Sequence, residues 1–171
     1  ILMRFLFAWH GLGEERGEGP ETVRRALQRL QGFPVAAASW ESEVLAARVE
    51  RYVSTDLDAV IGAGEFVWLR SAADTASGQR RAGPIRATPI LMLERAAAGD
   101  WLPLLGHADV DGLPLSSGAA RVGEVLQKHG AMFFVDLVRM TGLLRTQVEQ
   151  SLAELVAWGL VTSDTFAGLR A

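Results

Sequence analysis

The residues best suited to chemistry in this sequence are arginines. Between Phe66 and Arg95 stand Arg70, Arg80, Arg81, Arg86 and Arg95, five cations against the two acids Asp74 and Glu94. A local excess of three positive charges suits sequence-independent contact with phosphates. The plainer reading is a solvated loop. A second set, Arg145, Thr146, Gln147 and Gln150, lies on the outward side of a helical stretch, where arginine and glutamine can reach base edges in a major groove. Glu149 and Glu154 share that stretch, so one arginine stands against two glutamates across residues 145–158. That count favours packing or protein contact over base reading. Arg48 lies four residues from both Val44 and Tyr52 and leans toward a buried face. A half-buried arginine is held by a carboxylate or by carbonyls, so a structural pin and a nucleic-acid contact both stay open for it. Trp68 also has two readings, packed in the core or stacked on a base.

Catalytic groups are scarcer. Asp56 and Asp58 could form an acid/base pair, but they stand in the first turn of a short predicted helix, where the dipole favours acids. Glu41 and Glu43 have the same explanation. His129 precedes Gly130 at a helix end, a structural position, and His10, His107 and His129 show no metal-ligand spacing. Asp109-Val110-Asp111-Gly112 resembles the start of a calcium loop whose remainder is absent, so it reads as a turn. No G-x-x-x-x-G-K-[ST] phosphate loop exists, and Gly62-Ala63-Gly64 follows a helix rather than a strand, unlike a dinucleotide fingerprint. The sequence has no cysteine, which excludes disulfides, thiolate metal sites and a cysteine nucleophile. No nucleophile–base pair emerges, and no metal or cofactor is implied within these residues.

The elements that must position these groups come from periodicity and punctuation. From Gly118 to Ala171 the pattern is three helices and a strand, that of a winged helix-turn-helix. The helices are expected near Arg121–His129, Phe133–Thr141 and Thr146–Trp158, stopped by Gly130, Gly142 and Gly159. Val148, Leu152, Leu155 and Val156 form one face of the third helix. Leu160-Val161-Thr162 is expected as a strand, with Ser163-Asp164-Thr165 as the tip of a wing. Upstream, Ile1–His10, Pro20–Gln31, Glu41–Tyr52 and a short helix with Leu57, Val60 and Ile61 are expected helices, the last capped by Ser54 or Thr55. Phe33–Ser39 reads as a connector. Glu65–Arg70 and Ile85–Glu94 read as strands of a long hairpin, and Pro84 and Pro89 suggest a sheet edge.

An internal echo links the two halves. Leu57-x-x-Val60-Ile61-x-x-Gly64-x-Phe66-Val67 has the spacing of Leu152-x-x-Leu155-Val156-x-x-Gly159-x-Val161-Thr162. Both read as helix end, glycine stop, strand. The expected fold class is therefore α+β, with winged-helix-like units and an elaborated hairpin between two helical parts. Residues 1–95 form one unit, 96–117 an apolar, packed joint with Trp101, Leu102, Leu104 and Leu105, and 118–171 a C-terminal winged helix.

Composition sets limits. The chain has 171 residues, 49% of them hydrophobic, enough for a core, and a formal net charge of −3. It is not a generally basic nucleic-acid coat, so any contact with nucleic acid needs a local patch. No apolar run approaches the roughly 20 residues of a membrane span. Ile1–Trp9 lacks the basic region and small-residue cleavage site of a signal peptide. The sequence starts without methionine inside an apolar helical pattern and stops inside the wing, from which a piece of a longer protein is expected.

Taken in order, several stretches resemble a known family. They are Leu30-Gln31-Gly32-Phe33, Trp40-Glu41-x-x-Val44-Leu45-Ala46-Ala47-Arg48-Val49-x-x-Tyr52, Leu57-Asp58, Gly64-Glu65-x-x-Trp68 and Thr88-Pro89-Ile90. Phe133-Phe134-x-Asp136-Leu137, Thr141-Gly142-Leu143, Val148-Glu149 and the run from Glu154 to Arg170 follow. Together they resemble the C-terminal accessory region of the large helicase-related (Lhr) proteins, bacterial DNA helicases of the DEAD/DEAH-box superfamily. The resemblance covers nearly the whole chain. The family has a proline in its L-P-A-R-V run where this chain has Ala46, and Arg48 stays in place.

The resemblance implies an ATP-dependent parent that moves on single-stranded DNA and unwinds duplexes, including DNA/RNA hybrids. ATP and magnesium would be held by helicase domains upstream in the same chain, not by this segment, and the parent would be cytoplasmic, with no membrane contact. This segment would be a non-catalytic module contacting nucleic acid, with Arg80, Arg81 and Arg86 on phosphates. Such modules resemble a family of DNA glycosylases for alkylation damage. Two alternatives stand beside that reading, a glycosylase-like module acting on damaged bases and a stand-alone winged-helix regulator.

Overall fold

A computed structural model describes residues 2–12, 16–70, 85–106 and 113–170. The fold is α+β, with helices around a small antiparallel sheet of strand order β1-β3-β2. In chain order come α1 (Leu2–Trp9), α2 (Gly19–Arg29), β1 (Val35–Ala36) and a short α3 (Ala37–Ser39) that runs into a π-helical turn, Trp40–Leu45. Next are α4 (Ser54–Gly62), β2 (Phe66–Leu69), a 3₁₀ turn (Ile85–Ala87) and β3 (Pro89–Glu94). A second 3₁₀ turn (Arg95–Ala97) leads into α5 (Ala98–Leu105). The C-terminal part holds α6 (Ser117–His129), α7 (Phe134–Thr141), α8 (Arg145–Ala157) and a last 3₁₀ turn, Ala167–Leu169.

The sheet explains why Ile90–Leu93 is an unbroken apolar run. β3 pairs with β2 in the register Phe66↔Glu94 to Leu69↔Leu91, and with β1 through Val35↔Ile90 and Ala36↔Pro89. It is therefore the central strand, covered on both faces. Ile90 and Met92, with Phe66 and Trp68, face a core built from α2, α4 and Trp40. Leu91 and Leu93, with Val67, face the other way onto Trp101 and Leu105 of α5. Successive residues point to opposite faces, so both sets must be apolar. The Trp101 ring crosses so close to Gly32 that a Cβ there would lie 2.3 Å from it. Trp40 is fully buried and its indole N–H donates to the Ile90 carbonyl at 3.2 Å.

A second cluster sits among α6, α7 and α8, around Ala119, Val122, Leu137, Val148 and Leu155. Ser116 caps α6, accepting from the Ala119 N–H at 3.2 Å. Gly142, at φ +66°, closes α7 in the left-handed conformation that glycine adopts without strain. The first cluster is not confined to the N-terminal half, because Val156, Phe166 and Leu169 belong to it. The end of the chain thus returns to the sheet.

Several expectations need correction. Leu160-Val161-Thr162 is irregular, not a strand. The Thr162 hydroxyl donates to the Trp68 carbonyl and the Trp68 indole N–H to the Thr165 carbonyl at 2.9 Å, so this segment is fixed to β2 through side chains instead of a ladder. The echo therefore holds for helix and glycine stop in both copies, Gly64 at φ +77° and Gly159 at φ +71°, but a strand follows only the first. The expected helix Glu41–Tyr52 exists only as the π turn to Leu45. Turns follow, and Arg51 takes φ +51°. The supposed connector Phe33–Ser39 contains β1 and α3. Pro89 does not mark an edge strand. It is the first residue of the central strand, where a missing N–H costs little. Pro84 lies outside the described residues. Neither Ser54 nor Thr55 caps α4, whose N-cap position is Val53 with no side-chain bond. In the joint, Trp101 and Leu105 pack, but Leu102 and Leu104 are exposed.

Candidate nucleic-acid interface

The hairpin arginines separate into different environments. Arg86 sits on the 3₁₀ turn before β3, exposed. Arg70 is half-buried just after β2, with its carbonyl against Gly159, where a Cβ would lie 3.0 Å from the oxygen. Arg95 is engaged by the fold, since its Nε donates to the Gly64 carbonyl at 2.8 Å and staples the far end of the hairpin. Arg80 and Arg81 lie outside the described residues. Trp68 is in the core at 2% exposure, with its indole bonded to Thr165, so neither ring face is open to a base.

Two residues on the outward face of α8, Gln147 and Arg145, are engaged by the fold. Gln147 accepts a hydrogen bond from the Leu144 N–H at 2.9 Å, satisfying a donor that the helix start leaves unpaired. The Arg145 guanidinium lies 5.1 Å from the Phe134 ring centroid, a cation–π contact between α8 and α7. Glu154 accepts from the N–H and the hydroxyl of Ser116, at 2.8 Å and 2.6 Å, and so ties α8 to the start of α6. Of the residues expected to read bases here, Arg145 and Gln147 bind their own helix and its neighbour, while Thr146 and Gln150 are exposed.

Arg48 is half-buried and held by backbone carbonyls. Its Nε donates to His10 at 2.9 Å and its Nη1 to Val44 at 2.8 Å. Burial lowers its pKa from the ordinary arginine value.

Sequence reasoning gave no role to Arg170, the arginine with most bonds among the described residues. It reaches across 129 positions to Glu41, with Nε–Oε2 at 2.7 Å and Nη2–Oε1 at 3.1 Å, and also holds Asp58 at 2.8 Å. The Tyr52 hydroxyl donates to the same Glu41 at 2.6 Å. The bonds to Glu41 and then Asp58 raise the Arg170 pKa, and burial, followed by the bond to Glu41, raises that of Tyr52. Asp58, expected to cap a helix, instead pairs with this distant cation. Arg86 and Arg170 both line a cavity of about 420 Å³ with Glu41, Ser42 and Tyr52. No local pattern announces such a pairing, because its partners are set by the return of the chain end to the core.

The winged-helix domain of large helicase-related protein, as a family model, matches residues 1–89. The chain belongs to the large helicase-related family. Among its curated relatives, the "Lhr helicase/uracil glycosylase" of Escherichia coli (strain K12) is 31% identical over 160 residues, covering 90% of this chain and 10% of that protein. The "Lhr helicase/ probable uracil glycosylase" of Mycolicibacterium smegmatis (strain ATCC 700084 / mc(2)155) is 30% identical over 178 residues, covering 98% of this chain and 10% of that protein. The chain thus spans about a tenth of the length of these Lhr relatives. The match to residues 1–89 places a winged-helix domain over the N-terminal half, up to the first residue of β3, and the similarity to the Mycolicibacterium smegmatis relative extends over 98% of this chain. None of the described helices is long and apolar enough to cross a membrane.

Proposed function

We propose that this chain is a non-catalytic accessory module that contacts nucleic acid, single-stranded DNA or a DNA/RNA hybrid, beside the ATP-driven domains of a cytoplasmic Lhr helicase. Family membership carries the reading. The local charge supports it, since a chain of net charge −3 concentrates five arginines against two acids around its hairpin and exposes Arg86 there. Phosphate contact of this kind positions a strand without reading its sequence. The hairpin arginines Arg70, Arg80, Arg81 and Arg86 are the contacts assigned to this role, and Arg145 and Gln147 are set aside because α7 and the start of α8 engage them. ATP and magnesium belong to the helicase domains of the parent, not to this module.

Fluorescence anisotropy of a labelled single-stranded oligonucleotide tests the reading. The chain should bind with an affinity that falls as salt rises, and replacing Arg80, Arg81 and Arg86 together by alanine should weaken binding by about tenfold or more. No binding at low salt removes the reading, and unchanged binding by the triple variant removes the hairpin from the interface.

The relatives' printed names favour a second reading, uracil-DNA glycosylase chemistry. Such chemistry needs a carboxylate or amide facing a flipped base. In the cavity beside Arg86 the Glu41 carboxylate is bonded to Arg170 and Tyr52, which argues for the accessory role. Incubation with uracil-containing DNA should leave no abasic product.

A further inference from the structure

Phe133 and Phe134 are neighbours in sequence with opposite fates. The Phe134 ring packs on the second cluster and lies under the Arg145 guanidinium, 5.1 Å from its centroid. The Phe133 side chain is 82% exposed, the most exposed large apolar side chain among the described residues. Its backbone is nevertheless fixed, because its carbonyl accepts from the N–H groups of Asp136 and Leu137 at 3.0 Å and 3.1 Å and so starts α7. Phe133 holds the N-cap position with no side-chain bond. Serine, threonine, aspartate or asparagine there would satisfy an open N–H, as Ser116 does for α6. Phenylalanine at this position forgoes a cap and gains no burial in return. Neither capping nor packing accounts for the ring.

The ring stands at a cavity of about 530 Å³ on the seam between the C-terminal helices and the sheet. Leu126, Met132 and Phe133 bring apolar surface from α6 and the turn to α7, and Val67 brings it from β2. Arg95 brings a cation from the end of β3, and Asp164 a carboxylate from the segment after α8. These walls are held in place. The Gly130 N–H donates to the Leu126 carbonyl at 2.8 Å and turns the chain out of α6. The bonds of Trp68 with Thr162 and Thr165 hold the segment that carries Asp164 against β2. Arg95 is anchored twice, by its Nε to the Gly64 carbonyl at 2.8 Å and by its backbone N–H to the Glu65 carbonyl at 2.7 Å.

We infer that this cavity takes an unpaired base of a single strand, stacked on the Phe133 ring. A nucleobase has two apolar faces and a polar edge. The cavity pairs apolar side chains with a carboxylate that can accept from a base amine. Mostly apolar walls with a few polar groups are the usual form of a small-ligand site. The Arg95 bond to Gly64 uses Nε, and the terminal nitrogens of its fork suit the oxygens of the adjoining phosphate. Asp164 repels phosphate, which favours the base over the backbone inside the cavity. The inference rests on the nucleic-acid reading above and gives it a stacking site apart from the hairpin arginines.

The test uses the same chain and labelled oligonucleotide, with Phe133→Ser as the variant. Serine supplies the missing cap, so thermal melting should show stability kept or raised, and a loss of binding then has no origin in unfolding. Binding should weaken by about fivefold or more, the effect of losing one stacked base. The slope of log affinity against log salt should stay the same, because no phosphate contact is removed. Phe133→Tyr keeps the ring and should bind within about twofold of wild type. On an oligonucleotide whose bases are replaced by abasic sites, wild type and Phe133→Ser should bind alike. Wild-type binding that is unaltered by Phe133→Ser, or weakened as much by Phe133→Tyr, overturns the base site and leaves the hairpin reading standing. Absence of wild-type binding overturns both.

Discussion

In α6, α7 and α8, polar side chains that point outward in sequence close the unit on itself. Gln147 completes the start of its own helix, Arg145 covers Phe134, and Glu154 holds Ser116. In the region from Arg16 to Ala97 the balance is different. Arg16, Arg29 and Arg86 are exposed, and Arg48 is held by the carbonyls of His10 and Val44. Both regions have helices of the winged-helix type, so the element pattern does not separate them as surfaces for a polyanion. What separates them is whether the fold has already taken up the charged groups. A glutamine that completes a helix start and a glutamate that bridges two helices have their oxygens engaged by the fold, and the glutamate's charge repels phosphate. An arginine held by carbonyls keeps its full charge.

The contrast assumes that the regions form one body, and the largest effect tests that. Phe166 is 1% exposed, in the same cluster as Trp40, Leu57 and Trp68, although it follows α8 in the chain. Phe166→Ala should cost about 3–5 kcal/mol, the range for a buried phenylalanine. Urea unfolding followed by tryptophan fluorescence should show one transition at a lower midpoint. A loss below about 1 kcal/mol, or two separated transitions, would mean that the tail is not part of the N-terminal core and that the two regions must be treated separately.

How far the sequence led is clearest at particular residues. The three C-terminal helices were legible because each has an apolar face at helical spacing and a glycine at its end, as with Gly130, Gly142 and Gly159. The charge balance on α8 was legible as well, because two glutamates beside one arginine are visible without coordinates. The segment from Phe33 to Tyr52 was misread. Its 3.6-residue pattern is real, but Arg51 turns to positive φ and the helix gives way to a π turn, with Trp40 drawn under β3 by its bond to Ile90. Strand Leu160–Thr162 failed for another reason: strand propensity needs a partner edge, and here β2 receives the chain through Thr162 and Thr165. The grouping of Arg4, Arg16, Arg25, Arg29 and Arg48 around one cleft could not be read from spacing. Only Arg25 and Arg29 share a helix face, while Arg4, Arg16 and Arg48 arrive from three separate segments.

Arg170 supplies the next test, smaller because the site is partly wet. The side chains of Arg170 and Glu41 are 28% and 18% exposed, and that of Asp58 is 44% exposed. Arg170→Met removes the cation and leaves Glu41 with Tyr52 alone. The expected loss is about 2 kcal/mol, that of hydrogen bonds to a charged group whose partner is left behind. Adding Glu41→Gln should recover part of it, because the stranded carboxylate is then neutral. If the contrast between the regions is right, neither variant weakens oligonucleotide binding by more than about twofold, since this arginine is already taken up by the fold. A large loss of binding with stability intact would move Arg170 to the side of the available arginines.

The smallest effect is the one that most directly separates the two roles of a polar residue on α8. Gln147 is exposed, and its side chain accepts the Leu144 N–H, a bond that exists only while the helix start is formed. Gln147→Ala should therefore cost about 0.5–1 kcal/mol of stability, as the loss of a capping contact does. Gln147→Glu keeps an acceptor, favoured at a helix N-terminus, and should restore the stability. A base-reading role makes the opposite forecast for binding, because alanine would lose a donor–acceptor pair and glutamate would add repulsion against phosphate. Measured together by thermal melting and anisotropy, a stability change with flat binding assigns Gln147 to the helix. Binding that falls with both variants would restore α8 as a nucleic-acid surface and undo the contrast.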